Sequence, residues 1–527
     1  MKAKKVLAFL LAAILTIGVL AGCGGKSKDV SEDGKYLYRV TMVNPKDNLT
    51  EDVVYQQISD KFNVEFEPLG VSYENWSEKN RIWLSSGDMP DAMKWAFNYE
   101  DYITYSDQGV VKALPDDFEK KYTNLAAIMQ GNKTWDKLKE SNDGKVYAFI
   151  PGYGFGTKAY EEGFDVNVDM YAFVYRKDWA KQLGIEFSPV MPYEDLMEAA
   201  KKFKEADLGG VGKDNTVGIA VHYTEAPNIF VTAYNSGYNK FYKDANGSYV
   251  YGMLQDDTKA GVLEYAKAYK EGILHPNFFA HQMDNVKSLF VTGKAGLYYE
   301  NWSGNAAFTN LKKVFAEANP GVDPEEALGL CWFTSPDGKI HGRENADFWE
   351  CTYYSPAMSD EKFETLLTVM EYLAGHDGAM LRTYGIEGVD YKMENDTIIR
   401  LIEPNNDGGY KMSNKYPGIS IFSALTTTKF KDLKYASKDG LNMNSMKALN
   451  ELGLAKLGGE NALYMLDMDV QFYSSDTYAQ FGAQVLTHNI LLDVVMAENP
   501  EAEWTSQLAA IEADVKAIEK ELNENIK

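Results

Sequence analysis

The chain is short of cysteine, of positive charge and of internal punctuation. Three Cys among 527 residues exclude a disulfide scaffold and a Cys-rich zinc module. Lys and Arg number 53 against 77 Asp and Glu, a formal net charge of −24. Such a chain lacks the basic footprint that a nucleic-acid backbone demands, so no nucleic acid is expected as a partner. Its 16 Pro and 43 Gly gather nowhere into a long linker inside the body. Two lobes would therefore share several short crossings in place of one connector.

Catalytic signatures are missing too. The six histidines, His222, His275, His281, His341, His376 and His488, nowhere take the His-Glu-x-x-His spacing of zinc hydrolases. There is no Cys-x-x-Cys and no Gly-x-Ser-x-Gly elbow. The glycines at 152, 154 and 156 lack the third glycine of a dinucleotide fingerprint and follow Pro151, as a surface or hinge loop does. Neither a cofactor nor a metal is expected. What the chain does have is apolar and aromatic: 45% hydrophobic, with 35 Tyr, 25 Phe and 9 Trp. That is too apolar for disorder, and the length allows two to four domains with real cores.

The N-terminus sets an address. Lys2, Lys4 and Lys5 precede an apolar run from Val6 to Leu20, which suits a secretory signal better than a spanning helix. The run ends in Leu20-Ala21-Gly22-Cys23, which resembles the bacterial lipobox. That resemblance implies cleavage after residue 22 and a diacylglyceryl group on Cys23. Losing three lysines and no acid takes the net charge from −24 to −27. Such a body is not drawn to an anionic surface, so lipid must hold it there. Residues 23–35 carry little apolar side chain and predict a flexible tether.

The body predicts an α/β fold. Residues 36–43 suit a strand, 50–61 a helix, and Val64 and Phe66 a second strand, a β-α-β start that suggests a mostly parallel sheet. Helices follow Pro192, Asp257 and Ser359, the last two as caps. Strand-like runs lie at 146–150, 171–175, 216–221 and 295–299. Trp504, Leu508, Ile511, Val515, Ile518 and Leu522 form one helical stripe that predicts a docked C-terminal amphipathic helix over 501–527. Cys331 and Cys351 sit in apolar runs and are expected to be buried free thiols.

Four segments together resemble the family 1 extracellular solute-binding proteins, in the long lipoprotein branch that includes alginate-binding proteins. They are LSSGDMPDA from Leu84, DQGVVKALPDDFEKKYTNL from Asp107, YRKDWAKQLGI from Tyr175 and YGIEGVDYKMENDTI from Tyr384. The resemblance implies a two-lobed, hinge-connected periplasmic-binding-protein-like fold of type II. On that template the first lobe takes 36–150 and 297–350, and the second takes 151–296 and 351–500. It implies a monomer on the extracytoplasmic face of the membrane that captures a sugar or oligosaccharide and passes it to the transmembrane permease subunits of an ABC importer. Many members carry a calcium loop. The matching stretch, 207–216, keeps Asp207 but has Gly209, Val211, Asn215 and Thr216 where oxygen-rich ligands would stand, so no strong calcium site is expected.

Sugars show flat C–H faces and hydroxyl edges, so a cleft wants Trp or Tyr beside Asp, Asn or Glu on loops after strands. The candidates are Trp76, Trp95, Tyr223, Glu225, Asn301, Trp302, Trp349 and Glu350, with Trp302 favoured. Trp83, Trp135 and Trp179 are assigned to packing, and Asp178 to a helix start. Two alternatives stay open: a secreted glycoside hydrolase using a carboxylate pair such as one containing Glu350, and a binder of peptides or other small polar solutes.

Overall fold

The computed structural model describes residues 29–72, 75–130, 133–151, 171–302, 307–339, 341, 350–395, 397–403, 411–426, 467–484 and 487–526. The signal segment, Cys23, the glycine-rich stretch at 152–156 and Trp349 lie outside them. In chain order the strands are β1 (Tyr36–Val43), β2 (Val64–Val71), β3 (Ala92–Ala96), β4 (Tyr171–Arg176), β5 (Val190–Pro192), β6 (Val217–Ala220), β7 (Phe241–Lys243), β8 (Tyr249–Tyr251), β9 (Ala295–Asn301), β10 (Leu328–Thr334), β11 (Glu350–Tyr354), β12 (Tyr391–Glu394) and β13 (Thr397–Arg400).

The first lobe is built on a four-stranded sheet of order β11-β3-β1-β2. β1 pairs with β2 in parallel over its whole length, and the crossover between them is the expected helix, Val53–Phe62. Asp52 starts it by accepting from the amides of Val54 and Tyr55, each at 2.9 Å, which satisfies two of the donors that a helix start leaves open. Its Val54 and Ile58 are fully buried. The helix ends where Asn63 turns left-handed, at φ 55°. β3 adds in parallel and β11 antiparallel. The run at 146–150 forms only a bridge, Phe149 to Thr352, not a strand.

The second lobe holds five strands in the order β5-β10-β4-β9-β6. β9 is parallel to β6, but β4 is antiparallel to both β9 and β10. The sheet is therefore mixed, where a mostly parallel one was expected. β4 enters from the other lobe, so no crossover helix fixes its direction. The C-terminal helix, Pro500–Asn525, docks here. Trp504, Val515, Ile518 and Leu522 are buried, while Asn523 and Glu519 bond the backbone of Tyr249 and Tyr251 in β8. The helix expected to be capped by Asp257 is Asp256–Lys270, so its cap falls two residues earlier, at Gln255, and Asp257 sits in the first turn, where its charge favours the helix start. Ser359 does cap Asp360–Ala374, its Oγ 3.2 Å from the Lys362 amide.

The division between lobes differs from the expected one. β9 and β10 belong to the second sheet, not the first. β11 and the helices Asp360–Ala374, His376–Tyr384 and Ile419–Leu425 pack on the first lobe's core, not the second's. Buried strands read alike whichever sheet they join, so the apolar pattern carries no lobe label. The chain thus passes between lobes across 151–171, 334–350 and 426–467. The last passage ends in a direct contact between the lobes. Phe472 sets its ring 4.8 Å from Tyr99 in the first lobe, Lys137 pairs with Asp469 at 2.9 Å, and Val470 is buried in the second lobe's core. Tyr473 donates to Glu521 of the C-terminal helix at 2.6 Å.

Part of the expected tether is folded. Val30 bridges to Tyr36, the Leu37 amide donates to Asp29 O, and the Asp29 carboxylate lies 3.3 Å from Lys362 Nζ. Residues 29–35 are held because Lys362, fully buried, collects a second carboxylate there besides Asp91. Cys331 and Cys351 are free, buried and in different sheets, and burial pushes both thiols well above the usual thiol range.

Candidate functional site

Strand direction locates the site. β1, β2 and β3 run to one edge of the first sheet, and β11 starts at that edge, Glu350 opposite Ala96. In the second sheet β6, β9 and β10 end at one edge, where β4 begins with Tyr171 opposite Asn301. The passages 151–171 and 334–350 each join these two edges. Ligands of open α/β sheets lie beyond the carboxyl ends of the strands, and the chain leaves one sheet and enters the other at those same ends.

On the first edge the central group is Lys94. It projects from an apolar strand, Ala-Met-Lys-Trp-Ala, and its ammonium forms an ion pair with the Glu350 carboxylate. Both side chains are largely but not wholly covered, at 15% and 19% exposure. Its carbonyl accepts from Trp76 Nε1 at 2.9 Å and from Asn80 Nδ2 at 2.6 Å. Trp76 and Glu350 therefore meet around one lysine. Trp76 itself is only 4% exposed, so its indole anchors a helix start on the sheet and offers a ligand no open face. Trp95 is a packing residue, edge-on to Tyr105 at 5.6 Å in the first core. Strand alternation turns it to the face opposite Lys94.

The second edge is polar and half-buried. After β6, His222 Nδ1 lies 2.7 Å from Thr224 Oγ1, and its ring stands 4.6 Å from that of Tyr223. Glu225 follows, accepting from Asn228 Nδ2 at 2.8 Å. At the end of β9, the Asn301 backbone amide donates to Glu300 Oε1 at 3.0 Å, and Tyr298 OH donates to Glu300 Oε2 at 2.6 Å. Tyr171 stacks on Tyr299 at 5.6 Å and 30°. Tyr171, Tyr223, Glu225, Glu300 and Asn301 all keep part of their surface in water, as cleft-lining groups must.

Trp302, the favoured platform, does not belong to this rim. It is 3% exposed, donates its Nε1–H to Ala172 O at 3.0 Å and stands edge-on to Tyr298 at 5.6 Å. Small polar neighbours in sequence suggested a loop. An indole that finds both an apolar slot and a carbonyl goes inside instead. Trp349 falls outside the described residues. Lys94, Tyr171 and His222 also stand at these edges and were not among the sequence candidates. A lone lysine within an apolar strand was a usable signal for the first, whereas Tyr171 and His222 carry none.

The family-like motifs prove to be scaffold. Arg176 forks onto Asp178 at 2.8 and 2.6 Å and lies 4.2 Å over the Trp179 ring, a bidentate pair of fixed geometry. Arg39 pairs with Asp88 at 2.7 Å. Asp91 meets buried Lys362 at 2.9 Å. Gly385 sits at φ 85°, and a Cβ there would lie 2.3 Å from Asp390 Oδ2, so only glycine fits. In the 207–216 loop, Asp207 accepts from the amides of Val211 and Gly212, each at 3.0 Å, and lies 2.9 Å from Thr216 Oγ1. Its carboxylate is committed to protein donors. Gly209 is pressed on the carbonyl of Gly293. Among the described residues no three His, Cys, Asp or Glu side chains are placed to hold a metal, and no helix is long and apolar enough to cross a membrane.

A family model, bacterial extracellular solute-binding protein, matches residues 46–332, more than half of the chain. The chain belongs to that family. Among its relatives, the fructooligosaccharide ABC transporter substrate-binding protein FusA of Streptococcus pneumoniae is 24% identical over 56% of this chain and 57% of that protein. Lipoprotein LipO of Bacillus subtilis is 22% identical over 93% of this chain and 90% of its own length. The polygalacturonan/rhamnogalacturonan-binding protein YtcQ of Bacillus subtilis is 23% identical over 74% and 75%. A solved structure of the S. pneumoniae FusA EF-hand mutant with fructo-nystose covers 93% of this solute-binding protein and 99% of that chain at a TM-score of 0.66, with 16% identity. The two share a fold.

Proposed function

We propose that this protein captures a sugar or oligosaccharide between the two sheet edges and hands it, unaltered, to the transmembrane subunits of an ABC importer. The observation that carries the reading is topological. Two half-buried rims, Lys94–Glu350 on one sheet and Tyr171, Tyr223, Glu225 and Asn301 on the other, stand at the edges that the passages join. A ligand held by both rims is bound fully only when the lobes close, so binding and closure are coupled. Stacked tyrosine with carboxylate and amide oxygens suits a sugar's C–H face and its hydroxyls. The relatives bind glycans according to their names. The lipobox ending in Cys23 and the LipO relative support a lipid-anchored body outside the membrane.

The test is thermal unfolding of the full chain in detergent with a panel of oligosaccharides. A ligand at 100 times its Kd stabilises by about 2.7 kcal/mol, a readable shift. No shift with any glycan would sink the carbohydrate reading, and a shift with peptides alone would replace it. Recovery of the bound glycan intact separates a carrier from a hydrolase, which would return shortened products.

A further inference from the structure

Given the lipid anchor proposed above, on which this rests, we propose that the first lobe is the membrane-facing lobe, with the starting edge of its sheet turned toward the lipid surface. The observation is that the leash is short. Residues 29–35, expected as free tether, fold back on β1 as a hairpin. The Ser31 amide donates to Lys35 O at 2.8 Å, the Gly34 amide to Ser31 O at 3.1 Å and the Leu37 amide to Asp29 O at 3.0 Å. Gly34 makes the turn at φ 78°, a conformation that suits glycine. Two cations clip the hairpin down. Lys35 Nζ reaches Asp60 at 2.6 Å and Ser59 Oγ at 3.0 Å on the Val53–Phe62 helix, and buried Lys362 holds Asp29 at 3.3 Å.

Six peptide units join Cys23 to Asp29, where thirteen join it to Tyr36. At ~3.3–3.6 Å per residue the leash reaches about 20 Å, not about 45 Å. A compact chain of this length has a radius of gyration of about 23 Å, and so a body radius of about 30 Å. A leash shorter than that radius keeps its attachment point on the membrane-facing half of the body. A leash longer than the radius would let that point rise to the far half and the body turn over. The attachment lies at the starting edge of the first sheet, since Asp29 is level with Leu37, and Tyr36 with Val64. The candidate cleft is at the opposite edge, where β1 ends, and the second lobe lies beyond it. The body can still lean onto its side, so both lobes can meet a membrane partner. What the leash forbids is the first lobe riding uppermost. An acidic body gains no pull from anionic lipid, so the orientation comes from the leash.

The test is energy transfer from a fluorophore on the lipidated full chain to rhodamine-labelled phosphatidylethanolamine in phosphatidylcholine vesicles. One label goes on Lys61→Cys, at the starting edge of the first sheet, and the other on Asp214→Cys, just before β6 at the starting edge of the second. Both positions are exposed, whereas Cys331 and Cys351 are buried and stay unlabelled. The strands of the two sheets, laid end to end at ~3.3 Å per residue, put the labels upward of about 45 Å apart, so the Lys61→Cys label should transfer at least about twofold more efficiently. Inserting about twelve Gly and Ser residues between Lys28 and Asp29 should narrow that gap. Equal transfer, or stronger transfer from Asp214→Cys, overturns the proposal while leaving the anchor standing, and so does a gap that the insertion leaves unchanged. A Cys23 that carries no diacylglyceryl group by mass spectrometry, or a chain that does not float with the vesicles, overturns the anchor reading and the proposal with it.

Discussion

Lys362→Met is the sharpest test of how the first lobe is held together. The ammonium of Lys362 is 0% exposed and lies 2.9 Å from Asp91, itself 9% exposed. Asp91 accepts one further bond, from the Arg39 amide at 2.8 Å. The ammonium also stands 5.3 Å over the Tyr38 ring and 3.3 Å from Asp29, whose side chain is 59% exposed. Removing the cation leaves a buried carboxylate with one donor, and breaking a buried pair from one side costs about 3–5 kcal/mol. At about 2–4 °C per kcal/mol for a body of this size, the first lobe should melt roughly 6–20 °C lower. Lys362→Met with Asp91→Asn removes both charges and should regain much of that loss, while Asp29→Ala should cost at most about 1 kcal/mol, as exposed pairs do. The assay is thermal unfolding followed by circular dichroism. A Lys362→Met loss below about 1 kcal/mol, or a double variant no better than the single, would refute the assignment of this pair as a buried, desolvated one.

Three further outcomes follow from the geometry. His275 and His281 have rings 4.4 Å apart, and both pKa values lie below the usual 6.5, chiefly through burial, with His281 and Lys294 adding to the effect at His275. The unfolded chain then takes up protons first, so stability falls as pH drops below about 6.5 and the fall ends below the folded-state values; a His275→Gln, His281→Gln double variant should flatten the melting-temperature profile across that window. Trp302→Ala should cost about 3–5 kcal/mol of stability as a core deletion, where a surface platform would cost little, and chemical denaturation distinguishes the two. Gly385→Ala should destabilise the β12–β13 region by more than about 1 kcal/mol, through both the positive φ and the approach to Asp390, with hydrogen exchange of the Ile386 amide, bonded at 2.7 Å to Asp390, as the local readout.

Sequence periodicity was most faithful where one face is buried and one is wet. The Val53–Phe62 helix, the cap at Ser359 and the stripe from Trp504 to Leu522 each declare their inner side. Periodicity carries no lobe label, and the lobe division implied by the family template put β9 and β10 with the first lobe, whereas both join the second sheet. The motifs were legible as a family likeness and turn out to mark scaffold. Arg176, Asp178, Asp91 and Gly385 are constrained by packing, ion pairing and backbone conformation. The proposed rim residues sit at strand ends and in turns, where no periodic pattern marks them. Trp302 shows the converse error, since its loop-like sequence neighbours say nothing about the slot beside Ala172.

The central claim is that one ligand touches both sheet edges at once. A crystal structure of the protein with the tightest glycan of the panel measures this directly. The account predicts sugar within hydrogen-bond or stacking distance of Tyr171, Tyr223 or Glu225 on one side and of the Lys94–Glu350 pair on the other. A glycan seated wholly on one lobe, or away from both edges, would contradict it.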